Sequence, residues 1–173
     1  MSQPLTLATK ANVDLDHSNE IIKRIYRQVF GNRHLMELDI NKSLEALFIN
    51  GDLTVQGFVT ALAQSETYKK LFLETNNPYK FVELNFKHLL GRAPHGQAEI
   101  QKHVKLMRDE GFESEIASYT YSEEYLTSFG IDQVPYNRGS STMRGGSTIN
   151  YTRTNAFEVC LLYTSPSPRD HQP

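Results

Sequence analysis

Residues 77–94, NPYKFVELNFKHLLGRAP, constrain the fold more than any other stretch of this chain. Asn77 is a helix cap, and Pro78 follows at the first helical position, where a missing N–H costs nothing. Phe81, Leu84 and Leu89, with Val82 and Phe86 half a turn round, supply a wide apolar surface at helical spacing. Gly91 stands where a left-handed residue closes a helix, and Pro94 blocks its resumption. The spacing predicts a core helix of about three turns. Its polar positions, Lys80, Glu83, Asn85, Lys87 and His88, set no nucleophile beside a base, so the stretch reads as structural.

The same grammar runs along the rest of the chain. Asp16 or Ser18 caps a first helix that ends at Phe30 and Gly31, with Ile21, Ile22, Ile25, Val29 and Phe30 inward. A polar segment, 32–39, leads to a second helix with Ile40, Leu44, Leu47 and Phe48 inward and a turn at Asn50-Gly51. Thr54 caps a third, whose Val55, Phe58, Val59 and Leu62 fall at i, i+3, i+4 and i+7. Ser65 opens a short fourth through Tyr68, Leu71 and Phe72. Beyond the central stretch, residues 97–110 form another, with Ile100, Val104 and Met107 inward and Gly111 as its stop. Two short helices follow, over 112–119 and 122–129, closed by Gly130. No convincing strand alternation occurs. The expected class is all-α.

An internal repeat lies beneath this pattern. Tyr26-Arg-Gln-Val-Phe-Gly31 matches Phe86-Lys-His-Leu-Leu-Gly91 at an offset of 60 (86 − 26 and 91 − 31). Gly51 matches Gly111 at the same offset, and downstream the offset is 57: Val55/Phe112, Val59/Ile116, Leu62/Tyr119, Tyr68/Tyr125 and Phe72/Phe129. The pattern predicts one domain over 17–138 built from two similar helical lobes, since either lobe alone would be marginal.

At 173 residues and 39% hydrophobic content the chain can bury one ordinary core. A net charge of −2 gives no pull towards nucleic acid or an anionic membrane. There is no apolar run long enough to span a bilayer, and the first residues lack a secretory pattern. A single cysteine, Cys160, excludes an internal disulfide framework and a multi-cysteine metal site. Residues 1–16 read as an extended arm. Residues 139–159 read as a flexible tail, with a Gly/Ser lead followed by Tyr151, Arg153 and Phe157. The closing text LLYTSPSPRD is similar to translated sequencing-adapter DNA, so 160–173 is set aside as non-native read-through.

Candidate chemistry is thin. His88, His95 and His103 lie close in sequence, but no pair has the i, i+4 spacing of a helical metal site. Glu123 and Glu124 are adjacent and diverge on a helix, where they complement its N-terminus. Ser65 and Ser122 precede glutamates at helix starts, which makes them caps rather than nucleophiles. No residue set amounts to an active site. Taken unaided, the sequence describes a helical interaction domain.

FVELNFKHLLGRAP, together with IYRQVFGNRHLME, SEEYLTSFG and VPYNRG in that order, resembles the linker domain of phycobilisome linker polypeptides over about residues 18–138. The likeness is greatest to rod linkers and to the repeats of the core–membrane linker. It implies an all-helical, non-catalytic protein that sits in the central channel of phycobiliprotein trimers and hexamers (phycoerythrin, phycocyanin or allophycocyanin). It also implies contact with other linkers, no nucleic acid and no covalently bound cofactor. The chain would touch the bilins of its partners and tune energy transfer. Its setting would be the phycobilisome on the thylakoid's stromal or cytoplasmic face, in a red-algal chloroplast or a cyanobacterium. Rod linkers carry a second C-terminal domain; here only the short tail stands in its place, which implies no bridging of rings in that way. Aromatic and arginine side chains suit such interfaces. The expected partner-binding residues are Arg33, Tyr79, Arg92, Tyr121, Tyr136, Arg138, Tyr151, Arg153 and Phe157, with Arg92 exposed beyond Gly91 and Tyr68 and Tyr125 turned inward. A helical adaptor for another protein is the alternative, with a bilin-handling enzyme behind it.

Overall fold

The structure, a computed structural model, describes residues 15–31 and 40–138. Its helices are α1 Leu15–Phe30, α2 Lys42–Ile49, α3 Val55–Ala63, α4 Glu66–Tyr68, α5 Pro78–Leu89, α6 Gln97–Glu110, α7 Phe112–Thr120 and α8 Glu123–Ser128. No strand occurs among the described residues, and the class is all-α.

Local chemistry sets most of the boundaries. The side chains of Asn41, Thr54, Ser65, Asn77 and Ser122 each accept a hydrogen bond from the backbone N–H three residues on. Each satisfies one of the donors that a helix start leaves orphaned. Gly31 and Gly91 close α1 and α5 with φ of +75° and +64°.

Three expectations need correction. The first helix begins at Leu15, so Asp16 and Ser18 lie inside it, and Ser18 is buried. Residues that cap well are also tolerated in a first turn, and contact with the core decides between the two placements. In α2, Leu47 faces outward at 44% exposure, and no residue of that helix is fully buried. Leu44 and Phe48, at i and i+4, share the inward stripe; Leu47 lies about 100° from Phe48 around the axis. The fourth helix continues as a π-helix over Lys69–Leu73, with the Glu74 N–H bonded to the Lys69 carbonyl at 3.0 Å. Phe72 still reaches the Tyr68 ring at 4.6 Å from that wider turn.

Packing produces one continuous core. Ile25 and Val29 of α1, Phe58, Val59 and Leu62 of α3, Phe81, Phe86 and Leu89 of α5, and Ile116 and Tyr119 of α7 belong to a single buried cluster with Tyr68 and Tyr125. Polar side chains also tie the halves together. Gln28 donates to the His88 carbonyl at 2.9 Å, and Gln56 donates to that of Thr120 at 2.7 Å. Repeat partners Phe30/Leu90, Val59/Ile116 and Tyr68/Tyr125 are all buried, whereas Phe72 is half-exposed and Phe129 is not. With the core shared, the two-lobe division remains a property of the sequence pattern. The arms over 1–14, the segment 32–39 and the residues from 139 onward lie outside the described residues.

Candidate partner-binding surface

The surface around α8 takes its shape from a strap, residues 134–138, laid across the C-terminal end of α5. Beyond Gly130 the chain first touches α3, where the Ile131 carbonyl accepts the Gln56 N–H at 3.0 Å. Pro135 is buried, and the Tyr136 ring meets Phe129 edge-on at 5.2 Å. The Arg138 N–H then donates to the Gly91 carbonyl at 2.8 Å, and its Nε donates to the Leu90 carbonyl at 2.9 Å. The Leu90 carbonyl, at the helix cap, is among the acceptors that a helix end leaves open, so the strap caps α5. The approach is close: a Cβ on residue 91 would stand 1.9 Å from the Tyr136 carbonyl oxygen.

Arg92, expected on the surface, is only 9% exposed. Its Nε and Nη2 bond Glu124 at 2.6 and 2.8 Å, its Nη2 and Nη1 bond Glu99 at 2.7 and 3.1 Å, and Nη1 also reaches the Ala93 carbonyl. All the donors of the guanidinium fork are engaged, and the group lies 4.9 Å from the Phe86 ring centroid. Arg138 shares Glu124 and donates to Ser128 at 2.5 Å. The result is an ion network, Glu99–Arg92–Glu124–Arg138, joining α6, the end of α5, α8 and the strap. Burial opposes the charge on Arg92, but the bonds to Glu124 and Glu99 more than reverse that effect. The Arg92 bond, against some desolvation, takes the Glu124 carboxyl down to about 2. Sequence reasoning saw Glu124 as helix-terminal charge only. A carboxylate bridging two arginines distant in the chain has no local signature.

The other expected site residues divide cleanly. Tyr79, Tyr121 and Tyr136 are exposed at 47, 62 and 48%. Tyr68 and Tyr125 are fully buried, as expected. Arg33, Tyr151, Arg153 and Phe157 lie outside the described residues. Leu126 and Ile131, which the sequence did not single out, are exposed beside Tyr121 and Tyr136 in the chain. Four exposed large apolar residues therefore fall between positions 121 and 136, around the short helix α8.

Beneath this surface lies a polar group that sequence reading missed. Glu115 is fully buried on α7, and Asn85, read as a polar position on α5, is fully buried opposite it. His103 contacts Ser118 at 3.2 Å through Nδ1, and the same nitrogen lies 4.0 Å from Glu115. A hydrolytic triad uses the two imidazole nitrogens for its two partners, whereas here one nitrogen faces both. The Ser118 hydroxyl, moreover, donates to the Glu115 carbonyl at 2.6 Å. The trio is therefore a packing device.

A helical domain with an aromatic surface and an internally saturated ion network has the character of a binding protein. Comparison with known proteins carries this further. Residues 13–138 match the phycobilisome linker polypeptide family, to which the chain belongs. It is 44% identical over 144 residues to the phycobilisome 32.3 kDa linker polypeptide, phycocyanin-associated, rod, of Picosynechococcus sp., covering 83% of this chain and 50% of that one. It is also 44% identical over 161 residues to a 37.5 kDa phycocyanin-associated rod linker of Microchaete diplosiphon, covering 91% of this chain and 59% of that one. A 27.9 kDa phycoerythrin-associated rod linker of the same organism is 39% identical over 144 residues, with 83% and 58% covered. The chain thus spans between half and three-fifths of the length of these relatives.

Proposed function

We propose that this chain is a non-catalytic linker of phycobilisome rods whose helical domain binds within a phycobiliprotein ring. The observation that carries this reading is the family match over 13–138, with relatives associated with phycocyanin and phycoerythrin rods. The exposed tyrosines Tyr79, Tyr121 and Tyr136 provide the contact chemistry, since an aromatic ring buries large area at small entropic cost. Arg92 and Arg138 serve the domain instead, holding the strap so that Tyr136 is presented on Phe129. The bilins belong to the partners, and an aromatic ring beside one restrains its conformation and so tunes energy transfer. The relatives are cyanobacterial, which favours a cyanobacterial over a plastid setting on the thylakoid face. No described helix is long and apolar enough to cross a membrane, so attachment there would come through the assembly. Tyr151, Arg153 and Phe157 are proposed to anchor the tail on a subunit outside the ring.

The test is reconstitution of the full chain with purified phycocyanin, read by sedimentation and by visible absorbance. Binding with a shifted absorbance band is expected. Replacing Tyr79, Tyr121 and Tyr136 together by Ala should weaken binding about a hundredfold or more, at roughly 1 kcal/mol or more for each interface tyrosine. Truncation after Arg138 should leave ring binding intact but weaken ring-to-ring association. Absence of co-sedimentation with phycocyanin and phycoerythrin alike would overturn the reading and favour a different protein partner.

A further inference from the structure

The internal repeat extends into the exposed tyrosines. Pro135-Tyr136 matches Pro78-Tyr79 at the same offset of 57 that relates Tyr125 to Tyr68 (135 − 78 and 136 − 79). The structure keeps the two copies alike on the approach to these residues. Ser65 and Ser122 each accept a hydrogen bond from the backbone N–H of a tyrosine three residues on, Tyr68 at 3.2 Å and Tyr125 at 3.1 Å. Both of those tyrosines are fully buried. Each packs on a phenylalanine four residues further, Phe72 at 4.6 Å and Phe129 at 5.2 Å. Seven residues beyond each phenylalanine stands an exposed tyrosine (79 − 72 and 136 − 129). The backbones then part, since Tyr79 lies in the first turn of α5 and Tyr136 on the strap. The two side chains are nevertheless equally exposed, at 47 and 48%.

Among the described residues no other exposed large apolar side chain is duplicated in this way. Tyr121, Leu126 and Ile131 fall at the same offset opposite Gln64, Lys69 and Glu74, all polar. Leu47, in the part of the repeat with an offset of 60, falls opposite Met107, which packs against the core. Matches such as Val59/Ile116 and Tyr68/Tyr125 report the demands of the shared core. Tyr79 and Tyr136 lie outside that core, so packing does not account for their match. Each also follows a proline, whose locked φ stiffens the backbone that carries the ring.

A closed ring of like subunits presents the same patch more than once, each related to the next by a rotation. A protein with one copy of an anchor can use one such patch, and a protein with two copies can use two. The second contact then forms within a complex already made, where its effective concentration is high. We propose that Tyr79 and Tyr136 are matched anchors, which occupy the same site on two like subunits of one phycobiliprotein ring. The assignment rests on the reading of the chain as a ring-binding linker and names how many subunits it engages. A tyrosine suits both places, because its ring buries apolar area while its hydroxyl takes a hydrogen bond from the partner. Tyr121, Leu126 and Ile131 have no counterparts, so the two engagements share a tyrosine and differ around it.

The test places the photo-crosslinker benzoylphenylalanine in the full chain in place of Tyr79, of Tyr136 or of both. The replacement keeps an aromatic ring at an exposed position and so spares the core. Each variant is mixed with intact rings, of phycocyanin or phycoerythrin, that the unmodified chain co-sediments with. The mixtures are irradiated, and the products are read by mass spectrometry. Each single variant should still co-sediment, held by the remaining tyrosine. Both should attach to the same peptide of the same subunit type, and the double variant should gain the mass of two such subunits. Attachment to different peptides, or at one position alone, overturns the proposal. So does loss of co-sedimentation in either single variant, or a double variant whose products never exceed one added subunit. Co-sedimentation with no attachment at all overturns it too and leaves the ring-binding reading standing. Failure of the unmodified chain to co-sediment with either kind of ring overturns both.

Discussion

Gly31 and Gly91 hold matching places in the internal repeat, and both have positive φ, yet the structure makes them unequal. Nothing lies within 4 Å of a Cβ built on Gly31, whereas one on Gly91 would collide with the Tyr136 carbonyl. Gly31→Ala should therefore cost the backbone strain alone, roughly 1–2 kcal/mol. Gly91→Ala adds displacement of the strap and should cost about 3 kcal/mol or more. Urea unfolding of the two variants checks this, and equal costs would show that the strap is not held as described. Both stops were legible in the sequence; the difference between them depends on a carbonyl forty-five positions away (136 − 91). Asn85 teaches the same lesson. It read as a polar position on an amphipathic helix, but is buried because Tyr68 and Glu115 meet it there.

At the level of elements, the caps and stops were readable because each is a contact between residues three or four apart. Asn77-Pro78 and Ser122 begin α5 and α8 as their chemistry requires. The strap was not readable as a structural element, since its hydrogen bonds go to the far ends of α5 and α8. Removing the shared carboxylate tests its role. Glu124→Ala leaves Arg92, which is almost fully buried, with one carboxylate partner and Arg138 with none. The expected loss is about 2 kcal/mol, below the 3–5 typical of a broken buried pair because Glu124 is about a third exposed. Raising the salt concentration should shrink the difference between variant and parent, as measured by thermal unfolding. A salt-independent loss would mean that packing, and not charge, holds the strap.

For the molecule as a whole, the buried ionisable groups set a pH profile. His88 and His103 are pushed down to about 4, chiefly by burial, from an ordinary 6.5. Their contribution is complete above about 6.5 and is lost as pH falls through 4. Glu115 is raised by burial to about 7 from 4.5, so its contribution is complete below 4.5 and is lost as pH rises through 7. Between 4.5 and 6.5 two histidines outweigh one carboxyl, and stability still climbs. Near pH 7 the remaining histidine gain and the Glu115 loss balance, and stability is nearly flat from there to pH 8. Glu99 and Glu124, held down by Arg92, steepen the acid side. Urea midpoints should climb on the acid side and level off near pH 7, and Glu115→Gln should let them go on rising towards pH 8. A peak above pH 8 would contradict the buried carboxyl.

Helical class, the helix stops, every capped start but that of the first helix, and most of the core were determined by the sequence alone, because caps, glycines and apolar stripes act over one turn of chain. The resemblance carried by LLGRAP and VPYNRG identified the family for the same reason: each motif is a short stretch read directly from the chain. Tertiary structure alone decided that Leu47 faces outward, that Arg92 spends its donors inside the domain, and that Glu115 sits buried against Asn85. Each outcome depends on which distant surfaces meet. An arginine after a helix stop reads the same whether solvent or two glutamates await it, and only folding brings Glu99 and Glu124 to its side.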